Sequence, residues 1–106
     1  MQEPTFLILT ALAARPLHGY GLIRSVDELS GGDVQLRVST LYSALDRLAE
    51  QALIEVDHEE AVDGRLRRYY RLSDDGAAAL AAQLERLRRH ATAAETQLRL
   101  RPGLAS

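Results

Sequence analysis

The sequence predicts a mainly α-helical domain that carries one small β-hairpin and ends in a long helix. Three observations carry that reading. Leu41, Leu45 and Leu48 fall at i, i+4 and i+7, the period of an amphipathic helix. Ile54 and Val56 then alternate with Glu55, Asp57 and Glu59, the period of a half-buried strand, and Asp63-Gly64 follows as a hairpin signal. Last, Leu80, Leu84, Leu87, Ala91, Ala94 and Leu98 are spaced by 4, 3, 4, 3 and 4, a heptad seam.

The elements follow in order. Pro4 suits the first turn of a helix running to about Ala14, because its missing N–H is no loss there. Phe6, Leu7, Ile8, Leu9, Ala11, Leu12 and Ala13 leave that helix almost no polar face, so it must be buried on several sides. Arg15-Pro16 stops it. A second helix spans roughly Gly19 to Leu29 with Leu22, Val26 and Leu29 as its stripe, and Ser30-Gly31-Gly32 ends it. Val34–Val38 reads as a short extended link. Ser39 is the expected N-cap of a third helix reaching about Gln51. The first strand runs into a turn at Ala61–Gly64, and Leu66, Tyr70 and Leu72 mark the core side of the return strand. Ser73 caps a last helix, with Asp74 and Asp75 near its positive end, that continues to about Leu98.

Three helices, a hairpin and a long helix make the winged helix-turn-helix plan. Residues 1–72 form the winged region and residues 73–100 the last helix, within one structural domain. A chain of 106 residues that is 46% hydrophobic supports one modest core. It has no cysteine, which excludes disulfides and thiolate chemistry. The longest apolar run, Phe6 to Ala14, is broken by Thr10 and is too short to span a bilayer. No basic segment precedes it, so a signal peptide is not expected and a cytoplasmic location is.

The net charge is −2, which by itself argues against nucleic acid. Distribution matters more than the total. Arg65, Arg67, Arg68 and Arg71 crowd one strand, and all 13 basic residues of the chain are arginines. That suits bidentate phosphate recognition, and a GC-rich genome explains it equally well. Thr40, Ser43 and Arg47 point away from the leucine stripe of the third helix, with Tyr42 adjacent. Small hydroxyls on a helix followed by an arginine-rich hairpin are what a groove-reading, phosphate-gripping protein needs.

The seam of the last helix calls for a partner. About 25 residues reach about 37 Å, which a domain this small cannot cover. Glu85 with Arg89 and Glu95 with Arg99 are i,i+4 pairs on its flanks. A second copy is the expected cover, the over-apolar first helix the natural place for it to dock, and a two-fold dimer implies a roughly palindromic DNA site.

Enzymatic readings find little support. Asp57-His58-Glu59-Glu60 suggests a metal, but on an alternating strand Asp57 and Glu59 share one face while His58 and Glu60 share the other. A solvated acidic edge is the simpler reading. His18 reads as a capping or packing histidine and His90 as a surface one. No Ser–His–Asp arrangement, phosphate loop or carboxylate pair is present, so neither catalysis nor a metal or other cofactor is expected.

The combination His18-Gly19-Tyr20, Ser39-Thr40-Leu41-Tyr42 with Leu45 and Leu48, Leu53-Ile54, Gly64-Arg65, and Arg68-Tyr69-Tyr70-Arg71-Leu72-Ser73 with Gly76 resembles the PadR family of bacterial transcriptional regulators. The likeness covers about residues 5 to 98 and points to its compact subfamily. The resemblance implies a winged-helix homodimer acting mostly as a repressor, with some members releasing DNA when phenolic or drug-like molecules bind between the last helices. The chain departs from the family pattern at Val38-Ser39, where a Pro-Gly or Ser-Gly pair is common. It departs again at Gln51-Ala52, where a glycine often closes the helix and alanine resists positive φ. It also lacks tryptophan, so members that stack flat drugs on an indole are no guide to its ligand.

The expected function is sequence-specific binding of double-stranded DNA at a pseudo-palindromic operator by a homodimer. Ser39, Thr40, Tyr42, Ser43 and Arg47 would serve on the recognition helix, and Arg65, Arg67 and Arg68 on the wing. Leu80, Leu84, Leu87, Ala91, Ala94 and Leu98 would form the dimer seam. The alternative is a dimeric interaction module that has lost DNA binding.

Overall fold

Pro4 stands in the first turn of α1 (Glu3–Ala14), as its missing donor allows. The computed structural model describes residues 1–103. After α1 come α2 (Gly19–Leu29), α3 (Val38–Glu50), β1 (Ile54–Val62), β2 (Arg65–Leu72) and α4 (Asp74–Leu100). Helix α1 lies at the centre, touching α2, β2 and α4, which is how a helix apolar on all sides is satisfied. Ile8 and Leu9 of α1, Leu22 and Val26 of α2, and Leu41, Leu45 and Leu48 of α3 are fully buried, with Ile54 and Tyr70 closing the core on the hairpin side.

The stripe assigned to α2 shortens in the structure. Leu22 and Val26 are buried, but Leu29 is 52% exposed at the last turn, where Ser30, Gly31 and Gly32 leave the helix. Gly31 and Gly32 take positive φ, and Ser30 Oγ accepts from Val34 N at 3.0 Å. The link after it is not a strand: Leu36 is its buried anchor, and the cap of α3 lies two residues earlier than expected. Arg37 is the N-cap and Ser39 lies inside the first turn, so Ser39 caps nothing. Its hydroxyl stays on the surface instead.

The far end of α3 closes without glycine. Ala52 adopts φ 60, its N–H bonds Ala49 O at 3.0 Å, and Leu53 N–H bonds Leu48 O at 3.0 Å. This is the paired Schellman closure with alanine in the left-handed position. Leu53, packed against the core, anchors the next residue and fixes the turn. The Cβ penalty is still present, so Ala52→Gly is expected to stabilise the domain by about 1 kcal/mol. Thermal melting would check it, and an unchanged or lower Tm would show that the alanine is not strained there.

The hairpin turn is as tight as Asp63-Gly64 suggested. Both residues have positive φ, Val62 pairs with Arg65, and the strands run to the turn itself, with Ala61 paired to Leu66. The pairing slips by one residue between Val56 and His58, a bulge at Asp57. Its effect is to bring Ile54 opposite Leu72 and Val56 opposite Tyr70, so Ile54 and Tyr70 turn together into the core. Val56 at 44% and Leu66 at 68% exposure are not core residues, contrary to the period-two reading. Leu66 shares parity with Tyr70, but it sits near the tip, beyond the reach of the helices. On its other edge β2 bonds Leu17, with Leu17 N to Tyr70 O at 3.0 Å and Tyr70 N to Leu17 O at 2.9 Å. Tyr70 is thereby held from both sides.

Helix α4 begins at the expected cap, with Ser73 Oγ accepting from Gly76 N at 2.9 Å. It runs 27 residues, about 40 Å at 1.5 Å per residue. Only its first turns are seated. Gly76 and Gln83 are buried and Leu80 packs on the core, while Leu84 and Leu87 are each 40% exposed and Leu98 57%. The buried Gln83 accepts from Arg86 Nε and Nη2 at 3.2 and 2.7 Å, which satisfies its carbonyl. Neither Glu85 and Arg89 nor Glu95 and Arg99 form an ion pair; among the described residues all ion pairs lie in the hairpin.

Candidate nucleic-acid interface

Helix α3 buries Leu41, Ala44, Leu45 and Leu48 and exposes everything else. At 100° per residue Ser39, Ser43 and Arg47 run along the outward stripe, Thr40 flanks it on the Ala44 side, and Tyr42 lies on the opposite edge. Tyr42 is 46% exposed. Its hydroxyl rests over Gly19, where an added Cβ would lie 2.6 Å from Oη. The missing side chain at the start of α2 thus makes room for the phenol of α3.

Two open grooves flank this helix. One, of about 900 Å³, lies between α2, α3 and the hairpin; Tyr20, Tyr42, Arg65, Arg67 and Arg68 line it, but so do Asp46, Glu59 and Asp63. The other, of about 320 Å³, lies between α1 and α3 and takes in Thr5, Ser39, Thr40, Ser43 and Arg47. Arg47 Nη2 donates to Thr5 Oγ1 at 3.3 Å. Thr5 was not singled out from the sequence. A threonine in a helix start carries no local signal, and the partner is 42 residues away.

The hairpin charges do not stand free, as the arginine run along β2 alone suggested. The antiparallel register sets Glu59 opposite Arg68, Glu60 opposite Arg67 and Glu55 opposite Arg71. Arg71 is held by Glu55 Oε2 at 2.7 Å and Asp57 Oδ1 at 3.4 Å, while Arg68 lies 3.9 Å from Glu59. Arg65 faces Val62, and neither Arg65 nor Arg67 forms an ion pair with a described residue. The His58 hydrogen bond, together with Arg71, holds the Asp57 carboxyl below its ordinary range, against a weaker opposing effect of desolvation.

An aromatic stack ties the wing to the start of α2. His58 lies flat on Tyr69 with ring centroids 4.3 Å apart, and His18 meets the same ring at 5.1 Å, tilted by 53°. Tyr69 Oη donates to Glu60 Oε1 at 2.9 Å. Burial first, then Arg67 and Arg24, lowers the His18 pKa, against an opposing pull from Glu60. The packing role expected of His18 therefore fits, and its N-cap position carries no side-chain cap. His58 and Glu60 both engage Tyr69.

Helices α2 and α3 with the β1–β2 hairpin define a winged helix-turn-helix protein of the transcription-regulator class. The chain belongs to the PadR-like family of transcriptional regulators, whose family model matches residues 8–82. An uncharacterized protein X of Lysinibacillus sphaericus is 28% identical over 74 residues, covering 70% of this chain and 68% of that protein. The transcriptional regulator YqjI of Escherichia coli strain K12 is 36% identical over 58 residues, covering 55% of this chain and 28% of YqjI. A PadR family transcription regulator from Clostridium difficile R20291 superposes with a TM-score of 0.77 at 22% identity, over 92% of this chain and 99% of that one. Bacillus subtilis PadR in complex with operator DNA superposes at 0.70 and 23% identity, over 78% of this chain and 48% of PadR. At these identities the likeness is one of fold. Among the described residues no helix is long and apolar enough to cross a membrane.

Proposed function

We propose that the chain is a cytoplasmic, sequence-specific DNA-binding regulator that acts as a homodimer, with the winged region of residues 1–72 on DNA and residues 73–100 holding the dimer. The observation that carries this is the outward face of α3. Ser39, Thr40, Tyr42, Ser43 and Arg47 are all exposed on a helix whose other face is among the most buried parts of the fold. Within the fold, Arg47 contacts Thr5 and Tyr42 rests over Gly19, while the hydroxyls of Ser39, Thr40 and Ser43 have no hydrogen-bond partner among the described residues. The likeness in fold to a PadR in complex with operator DNA supports DNA binding. In this reading α3 enters the major groove, Thr40 and Ser43 meet base edges, Arg47 meets a base or a phosphate, and Tyr42 grips a phosphate. Two copies joined along Leu80, Leu84, Leu87, Ala91, Ala94 and Leu98 would read a pseudo-palindromic operator. The family resemblance supports repression, and release by a small-molecule effector bound between the last helices.

Footprinting on DNA flanking the gene, repeated across salt concentrations, tests the reading. A protected two-fold site whose affinity falls with salt is expected. A second reading, an interaction module without DNA binding, is favoured by the wing itself. Its carboxylates at Glu55, Asp57, Glu59, Glu60 and Asp63 outnumber its arginines. Absence of any salt-dependent binding would decide for it.

Two substitutions separate reading from gripping. Ser43→Ala removes one exposed hydroxyl and little volume, so folding is retained. It is expected to lose roughly 1–2 kcal/mol on the operator and almost nothing on a scrambled duplex. Equal losses on both would make Ser43 a backbone contact. On the wing, Arg65→Ala or Arg67→Ala is expected to weaken the log–log salt slope by about two, one phosphate per copy. Arg68→Ala should change it less, because Glu59 already shares that charge. An unchanged slope for both Arg65 and Arg67 removes the wing from the DNA.

A further inference from the structure

The two grooves beside α3 differ in charge character. Three carboxylates line the larger one, Asp46, Glu59 and Asp63, against its arginines. None of the described residues lining the smaller one carries a carboxylate. It holds one cation, Arg47, and the hydroxyls of Thr5, Ser39, Thr40 and Ser43. In a chain of net charge −2 this is a groove whose own lining opposes no anion.

Arg47 is distinguished by its contact with another helix. Asp46 and Glu50 neighbour it on α3, yet it forms an ion pair with no described residue. Its contact is the hydroxyl of Thr5, on a different helix, with Nη2 donating at 3.3 Å. That geometry leaves the guanidinium charged and uncompensated. It also leaves the Thr5 hydroxyl proton free, since a hydroxyl accepts through oxygen while donating its own hydrogen. One oxygen of a phosphodiester lying in this groove can therefore accept from Thr5 Oγ1, and another from a remaining N–H of Arg47.

We propose that Thr5 and Arg47 form a two-part phosphate clamp that seats the first turn of α1 on the DNA backbone, with Thr5 orienting the Arg47 guanidinium. The clamp rests on the DNA-binding reading above and adds a contact from outside the helix-turn-helix and wing. Thr5 is a positioning residue as well as a donor. Tying Arg47 to α1 removes rotamer freedom that a free arginine would lose on binding. Because a phosphate carries no sequence information, the clamp acts equally on any duplex.

The test uses the full chain and a long random-sequence duplex, so it does not depend on knowing the operator. Binding is titrated across salt for the unmodified chain, Thr5→Val, Thr5→Ser, Arg47→Ala and the Thr5→Val/Arg47→Ala pair. Thr5→Val keeps the shape and removes the hydroxyl. It is expected to weaken binding about ten-fold for the two copies of a dimer, with melting unchanged. Thr5→Ser should restore most of that. Arg47→Ala should lower the salt slope by about two, and Thr5→Val should add little once Arg47 is gone. A Thr5→Val chain that binds like the unmodified one overturns the clamp while leaving DNA binding intact. So do losses for Thr5→Val and Arg47→Ala that simply multiply. An unmodified chain with no salt-dependent affinity overturns the DNA-binding reading and the clamp together.

Discussion

Gly76→Ala is expected to destabilise the domain by about 2–3 kcal/mol, although helix propensity alone predicts the opposite. Gly76 lies in the first turn of α4, where alanine is worth about 1 kcal/mol more than glycine in an exposed helix. Here the glycine is buried. An added Cβ would run into the carbonyl oxygen of Leu53 and sit 2.7 Å from Leu72 Cδ1. Neither neighbour can step aside cheaply. Leu53 O already accepts from Ser73 N at 3.1 Å, and Leu53 N is fixed by the closure of α3 on Leu48 O. Ser73 Oγ bridges the same junction, donating to Ala52 O at 2.7 Å and accepting from Gly76 N. The clash must therefore lift α4 from the end of α3, and overpacking of this kind outweighs the propensity gain. The check is thermal melting of Gly76→Ala against Ala78→Gly, an exposed control that should cost only about 1 kcal/mol. A Gly76→Ala chain as stable as the original would mean that the first turn of α4 is not seated on Leu53.

That junction separates what local sequence patterns dictate from what distant packing imposes. The sequence contained the Ser73 cap, the apolar stripe of α3 and the Asp63-Gly64 turn, because each is a local pattern with a local cause. It also contained half of the wing pairing. A two-residue turn at Asp63-Gly64 puts Glu59 against Arg68 and Glu60 against Arg67 by counting back along the strands. Arg71 escapes that count. Without the bulge it would face Val56, and only the extra residue at Asp57 brings Glu55 opposite it and lets Asp57 reach it as well. A bulge inserts one residue and leaves no periodic trace, so the partners of Arg71 cannot be counted from the turn. Leu17 is similar, a single residue whose bonds to Tyr70 depend on a distant strand. Ala52 shows the opposite limit. Its positive φ runs against its own preference, imposed by the packing of Leu53 and the two bonds that close α3. For the candidate interface, the residues of α3 were legible because an amphipathic helix reveals its outer face by subtraction. Thr5 was not, because nothing in the first helix says which distant side chain it will meet.

If two copies join along α4 as proposed, Leu87→Asp is expected to abolish that dimer while leaving each copy folded. The body of the domain is complete without the outer half of α4: its buried residues stop at Gln83, and Leu84 and Leu87 are each 40% exposed in the single chain. A helix that projects this far, in a molecule 63 Å along its longest axis, keeps an apolar seam only if another surface covers it. On the two-fold reading Leu87 lies near the middle of the seam, so the substitution brings two carboxylates close together and strips both of water. The penalty is on the order of several kcal/mol per copy, and each 1.4 kcal/mol is a factor of ten. The dimer dissociation constant should therefore rise by more than about a hundred-fold. Sedimentation should report a monomer, while far-ultraviolet circular dichroism still reports the helices. Thr96→Asp, which carries the same charge on the opposite, exposed side of α4, should remain dimeric. Operator affinity should fall with the dimer, because a lone winged domain reads only half the site. If Leu87→Asp stays dimeric and Leu84→Asp does too, the interface lies away from the α4 seam, and the pseudo-palindrome loses its structural basis.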